Sequence, residues 1–420
     1  MKITTMRQID RWLGVPACAA LTLVRRCGDL WRHVRGPRPP SIRRILFVKL
    51  AEQGATVLAY GALRRAVAMV GAENVFFLVF EENRFILDVM RVIPPENVIA
   101  IPAGDFGRLL GGTLRARRRL RKLRPDAAVD LEFFARSSAV LAYLSGAAVR
   151  VGLHAFQDKA PYRGDLMTHR LRYGPDLHAG DLFAGMVESL AFPADKPPAP
   201  ARQLSPGQEA LPAFHPGDEE VARVRAVLRR EARAGEGSPL VLLNANASDL
   251  LPLRRWPAER YVDLARRLLK RWPGLRVAFT GSPEEAPAIE KLVAEVASPR
   301  CFSMAGKTTL RELLVLYGLA DVLVTNDSGP AHFATLTPIE VVTLFGPETP
   351  ARFGARSPRT HLVWKHLPCS PCVSAYNNRL SQCRDNQCMQ QITVAEVLAR
   401  VEIALAAATG DSLARGGRGV

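Results

Sequence analysis

The chain has 420 residues and a formal net charge of +17. Apolar residues make up 48% and charged ones 23%, which excludes a disordered chain, and no apolar run approaches the roughly 20 residues that span a bilayer. The length suits two domains that each bury a core, and the charge suits an anionic partner: nucleic acid, an acidic membrane surface or a phosphorylated substrate.

Residues 1–41 form a basic extension. Its apolar run, residues 13–24, is interrupted by Pro16 and bracketed by Arg11, Arg25 and Arg26, with Trp12 and Trp31 close by. It reads as a helical segment lying on a membrane face, with packing on the adjoining domain as the alternative. Residues 43–50 (RRILFVKL) predict a buried strand. Helices over 55–70, 83–92, 107–123 and 137–144 then alternate with strands over 74–80, 97–101, 128–133 and 149–153. That alternation predicts a parallel sheet covered on both faces. Seven prolines within residues 192–216 cannot continue a helix or a central strand and mark a domain boundary. The pattern restarts with strands over 240–244, 276–280, 321–324 and 340–344, and helices over 219–230, 258–270, 284–297 and 309–317. The expected organisation is α/β: domains at 42–195 and 218–392, a Pro-rich linker at 196–217, and a cleft between the domains. A helix at 393–408 and a disordered tail at 409–420 follow.

Asp327-Ser328-Gly329 lies between the strand at 321–324 and a short helix. The carboxyl ends of strands are where open α/β sheets bind ligands, and free N–H groups opening a helix favour a phosphate or diphosphate. The alternative is that Asp327 or Ser328 merely caps the helix. The helix at 107–123 carries a dense basic run, with seven Arg or Lys residues within 115–124. It reads either as a solvated face or as a patch for an acidic acceptor or membrane headgroups, with Arg115, Arg118, Arg119 and Lys122 as the acceptor-binding candidates. Nucleic acid is not expected, since no aromatic interleaving or binding motif accompanies the charge. Gly306-Lys307-Thr308 is not a P-loop, because Cys301 stands where that motif needs glycine. The chain has no Asp-x-Asp pair to hold a divalent metal against a diphosphate, so the expected neutralising cations are Arg254 and Lys307, with no metal and no cofactor. Cys369, Cys372, Cys383 and Cys388 could hold a structural metal, or form a loop held by packing or disulfides.

Four blocks together resemble the ADP-heptose:lipopolysaccharide heptosyltransferases, glycosyltransferase family 9. They are RRILFVKLAEQGATVLAYGALRRA, RRWPAERYVDLARRL, AGKTTLRELLVLYGLADVLVTNDSGPAHFATL with TLFGPETP, and the cysteine-bearing LPCSPC and NQCMQQIT. The likeness covers about residues 43–400 and leaves 1–41 outside. It implies a GT-B fold, two Rossmann-like domains with parallel sheets facing a central cleft. The acceptor is expected on the first domain, the nucleotide-sugar donor on the second, and the C-terminal helix back on the first. It also implies metal-independent, inverting transfer of heptose from ADP-heptose to the lipopolysaccharide inner core, by a cytoplasmic monomer in peripheral contact with the inner membrane. Asp327, Ser328, Gly329 and His332 match the loop holding the donor diphosphate and sugar. Arg254 stands where the family often has a diphosphate-binding lysine, Glu284 or Glu285 where a carboxylate holds the ribose, and Thr308 beside the adenine.

One position departs from the family. A Gly-Asp pair usually follows the first strand and supplies the base; here it is Gly54-Ala55. Glu52 is the nearest carboxylate in that loop and the expected base, with Asp130, Glu132 and His154 at other strand ends as alternatives. The departure leaves two alternatives open: transfer of another nucleotide-activated sugar to a cell-envelope glycan, or a family member that has lost catalysis and acts as a binding protein.

Overall fold

The computed structural model describes residues 3–33, 41–156, 161–194, 210–232, 238–247, 251–377 and 380–414. Most of the expected linker, the end of the N-terminal extension and residues 415–420 lie outside them. The chain divides into two compact units: residues 1–209 with 374–380, and residues 210–373 with 381–420.

The first unit holds one parallel sheet: β1 (Ile45–Val48), β2 (Val75–Phe80), β3 (Val98–Ile101), β4 (Ala127–Asp130), β5 (Val149–Leu153) and β6 (His169–Leu171). The second holds another: β7 (Leu240–Asn244), β8 (Arg276–Phe279), β9 (Cys301–Ser303), β10 (Val322–Asn326), β11 (Glu340–Phe345) and β12 (Thr360–Trp364). Their orders are β3-β2-β1-β4-β5-β6 and β12-β11-β10-β7-β8-β9. Both are the same doubly wound arrangement, and every pairing is parallel. The central strands are mostly apolar, with polar residues mainly at their ends, and are buried along their whole length, as a sheet covered on both faces requires. β6, β9 and β12 escaped the sequence reading. The first two have three residues each and all three lie at or next to a sheet edge, so their apolar pattern is too short to register.

This winding reverses direction between β1 and β4 in the first unit, and between β7 and β10 in the second. At each reversal the loops leave on opposite faces and open a crevice at the strands' carboxyl ends. Glu52 follows β1 and Glu132 follows β4. Arg254 follows β7 and Asp327 follows β10.

Two expectations about the ends of the chain are corrected. The C-terminal helix, Val394–Ala414, does not return to the first unit. It buries Val397, Val401, Ala404 and Leu405 in the core formed by β7, β8, β10 and β11 of its own unit. Apolar residues at helical spacing meet the nearest uncovered sheet face, and here that face is local. The helix also runs through 409–414, where a disordered tail was expected. Residues 374–380 are the segment that joins the first unit instead: Tyr376 donates to the Tyr173 carbonyl (3.0 Å) and stacks near Phe134.

Candidate active site

In the second unit the last residue of β10 draws the two crevice loops together. Asn326 Oδ1 accepts from the Trp256 N–H (3.1 Å), and its Nδ2 donates to the Asn246 carbonyl (3.1 Å). Trp256 is buried and donates Nε1 to the Ile392 carbonyl (2.8 Å). Asn386 Nδ2 donates to the carbonyls on either side of Arg254, those of Leu253 (3.1 Å) and Arg255 (3.0 Å). Arg254 is thereby fixed with Nε 3.3 Å from Asp327 Oδ2 and Nη2 3.6 Å from Glu348 Oε1. Asp327, His332 and Glu348 are buried, while the Arg254 side chain keeps 19% of its surface exposed.

The capping alternative for the Asp327 loop does not hold. Ser328 occupies the N-cap of the helix Gly329–Ala334 with extended backbone but makes no side-chain capping bond, and Asp327 turns to Arg254 instead. Glu348 was missed in the sequence. The available signal was a carboxylate directly after the Gly346-Pro347 turn that ends β11, at the same edge as Asp327.

The cysteine-bearing blocks brace this edge. Ser370 donates to the Gly346 carbonyl, and Cys372 N–H to the Pro347 carbonyl (3.0 Å), so LPCSPC holds the turn leading to Glu348. NQCMQQIT supplies Asn386. None of these cysteines is joined in a disulfide, and burial pushes Cys388 up to about 11, keeping it protonated at neutral pH. Among the described residues no group of three or more His, Cys, Asp or Glu side chains is placed to hold a metal ion.

The other donor-side residues are distributed along the same edge. Gly306, at φ 69°, lets the loop after β9 pack on Pro283 of the loop after β8, so Thr308 and Glu284 sit on adjoining loops. Glu284 is exposed, and hydrogen bonds from its own backbone and from Ser282 hold its carboxyl below the usual range. Glu285 instead accepts from the Ser282 N–H (2.7 Å) as part of a capping box. Lys307 is not at the diphosphate position expected of it. It donates to Glu231 (2.7 Å) and the Ser303 carbonyl (2.9 Å), because an ammonium on that loop finds the carboxylate of the neighbouring helix first. A cavity of about 780 Å³, lined by Asn246, Arg255, Trp256, Glu284 and Asn386 among others, opens beside these loops. Thr308, Glu284, Arg254, Asp327 and Glu348 follow five successive strands, an edge about 19 Å wide at roughly 4.8 Å per strand.

In the first unit β1 leads into Lys49, which is fully buried although charged. Its Nζ lies 3.1 Å from Glu132 Oε2 and 3.6 Å from Glu52 Oε2. Glu132 Oε1 also accepts from the N–H groups of Leu50 (2.8 Å) and Ala51 (3.0 Å), which commits this carboxylate to holding the β1 loop. Asp130 is fully buried, paired with Arg163 and hydrogen-bonded by Ser138 (3.0 Å); burial raises its carboxyl against the opposing effect of Arg163. His154 is half-buried, and burial first, then Arg170, lowers it below the usual imidazole value. Glu52 keeps 26% of its side chain exposed, more than Glu132 or Asp130. It is a non-glycine residue at φ 68°, a conformation costing about 1 kcal/mol or more, and its side chain makes no capping bond. Lys49 was not singled out in the sequence; a charge ending an otherwise apolar strand was the signal.

The acceptor candidates Arg115, Arg118, Arg119 and Lys122 are not brought to this crevice. The helix Phe106–Leu123 starts at the carboxyl ends of the strands and runs back toward their amino ends. Lys122 is 16 residues past its start, about 24 Å along the axis. Arg119 donates to the Glu96 carbonyl, and the others are exposed.

A family model described as glycosyltransferase family 9 (heptosyltransferase) matches residues 113–381. Among curated proteins, the lipooligosaccharide heptosyltransferase 2 of Haemophilus ducreyi is 29% identical over 168 residues, 39% of this chain and 46% of the relative. The chain thus matches about half the length of that relative. Among solved structures, E. coli ADP-heptose LPS heptosyltransferase II superposes with a TM-score of 0.62 at 21% identity, covering 87% of this chain and 99% of that one. A glycosyltransferase family 9 structure from Veillonella parvula gives 0.69 at 17% identity, covering 89% and 100%.

Proposed function

The chain belongs to glycosyltransferase family 9, the heptosyltransferases, and on that footing we propose that it transfers a heptose from ADP-heptose to a lipopolysaccharide inner-core or related cell-envelope glycan. The observation that carries the donor half is Arg254, pinned on both sides and held between Asp327 and Glu348 at the second switch point. A diphosphate is repelled by a carboxylate, so Asp327 serves it through Arg254: it orients the guanidinium, whose remaining N–H groups neutralise the departing charge. Asp327, Glu348 and His332 then offer acceptors to sugar hydroxyls, and Glu284 to the ribose. With a guanidinium stabilising the leaving group, the proposed reaction needs no metal.

On the acceptor side Glu52 takes the proton of the attacking hydroxyl as that oxygen bonds to the anomeric carbon and the ADP oxygen leaves. One displacement inverts the anomeric centre. Lys49, with its Nζ 3.6 Å from Glu52 Oε2, is the cation that orients this carboxylate in the β1 loop. The proposed setting is a cytoplasmic monomer; among the described residues no helix is long and apolar enough to cross a membrane. Calorimetric titration of ADP-heptose, together with transfer assays over a panel of nucleotide sugars, tests the reading. Tight binding of ADP-heptose with transfer is expected. Preference for another nucleotide sugar, or binding without turnover, would replace it.

A further inference from the structure

We propose that the first unit carries a separate anion site, at the amino ends of its strands, that takes a nucleoside diphosphate or triphosphate. A cavity of about 570 Å³ opens there, with Arg43, Arg44 and Arg124 among its lining residues. It lies at the opposite end of the sheet from the crevice. Arg44 precedes β1 and Lys49 follows it, five residues or about 16 Å further along the strand. The proposal does not rest on the transfer chemistry.

Local hydrogen bonds bring the three arginines together. Asp126, just before β4, accepts from the N–H groups of both Arg43 (2.9 Å) and Arg44 (2.9 Å). That ties the start of β1 to the loop carrying Arg124. Arg44 spends Nη1 on the Leu123 carbonyl (2.7 Å), at the end of the helix Phe106–Leu123. Among the described residues no carboxylate pairs with the side chain of Arg43 or Arg124, and both are exposed. Arg124 also caps that helix at φ 47°, a left-handed conformation that favours glycine. Glycine would close the helix without that strain, so the fold by itself gives no reason for a guanidinium at this point.

Charge and size select the ligand. Three guanidiniums line this cavity against one carboxylate, that of Asp126, which is committed to backbone N–H groups. Like charges gathered around a concavity hold a positive potential that a diphosphate or longer phosphate chain neutralises. A single phosphate would leave most of the volume empty, and the volume falls in the range of small-molecule sites. The rest of the wall suits a nucleoside. Met69, 46% exposed, and Val70 offer an apolar surface to a base. Asn74 spends Nδ2 on the Val70 carbonyl (2.8 Å), which leaves its Oδ1 to accept from a ribose hydroxyl.

The test is calorimetric titration of the full chain with ADP. Two sites per chain are expected, one in this cavity and one at Arg254. Arg43→Ala with Arg124→Gly should weaken the first roughly tenfold or more and spare the second. The thermal midpoint should stay in place or rise, since glycine relieves the backbone at position 124. Arg254→Ala should weaken only the second, so a failure of the donor reading shows separately. Arg225→Ala with Lys270→Ala removes the same charge from exposed positions of the second unit and should change neither site. Three results would each overturn the proposal: no ADP site that depends on Arg43 and Arg124, an equal loss in the Arg225 and Lys270 pair, or displacement of ADP from this site by phosphatidylglycerol vesicles at equal phosphate, which would assign it to lipid headgroups.

Discussion

At the scale of single residues, the two halves of the reaction depend on two charged groups with different jobs. Glu52 is proposed to act on the acceptor, so Glu52→Gln should lower turnover by about 10²-fold or more and leave ADP-heptose affinity nearly unchanged. Wild-type turnover in that variant would move the role to His154 or another group. Arg254 acts on the donor. Arg254→Ala should weaken ADP-heptose binding roughly tenfold or more by calorimetry, because it removes a guanidinium and leaves Asp327 and Glu348 facing the diphosphate unneutralised. Asp327 could be picked out from its own sequence neighbourhood, as a polar turn ending an apolar strand. The carboxylate on the other side of Arg254 could not: Glu348 is 21 positions further on and meets Arg254 through β11 and its turn.

At the scale of elements, the site depends on how loops are tied to strands. Asn326 bridges the ends of β7 and β10, and its amide is buried. Asn326→Ala leaves those backbone groups without partners, which should cost about 1–3 kcal/mol of stability in denaturant unfolding. Donor affinity should fall with it, since the Trp256 loop carries Arg254. A fall in stability with donor affinity intact would separate the bridge from the site. The C-terminal helix belongs to this scale as well. Val401→Asp places an unpaired charge in the core of the second unit and should cost roughly 3 kcal/mol or more. Hydrogen exchange should then show protection lost in β10, β11 and β12, with β1 to β6 unchanged. Loss in β1 to β6 would return the helix to the first unit.

At the scale of the whole molecule, a chain of net charge +17 loses stability in acid through its few well-paired carboxylates. The hydrogen bond from Arg311, followed by that from the Gly217 N–H, holds Glu220 down to about 2. Its folded value is below its unfolded one, so the unfolded chain binds the proton more readily. The stability it contributes is present above about pH 4.5 and is lost as pH falls toward about 2. Glu220→Gln should therefore flatten the acid limb of unfolding in that window and leave neutral-pH activity alone; an unchanged acid limb would show the pair to be without weight. By itself the sequence determined the α/β class, the division into two repeating units and the edge of each sheet where chemistry is expected. Apolar runs at strand length and turn residues at their ends are local signals, and they suffice for that. The tertiary structure decided what those signals cannot carry: that Asn326 and Asn386 fix Arg254 between two carboxylates, that Lys307 pairs with Glu231, and that the basic helix runs its arginines away from the crevice. Each of these depends on which strands lie side by side and which way a helix faces, and sheet order and packing set both.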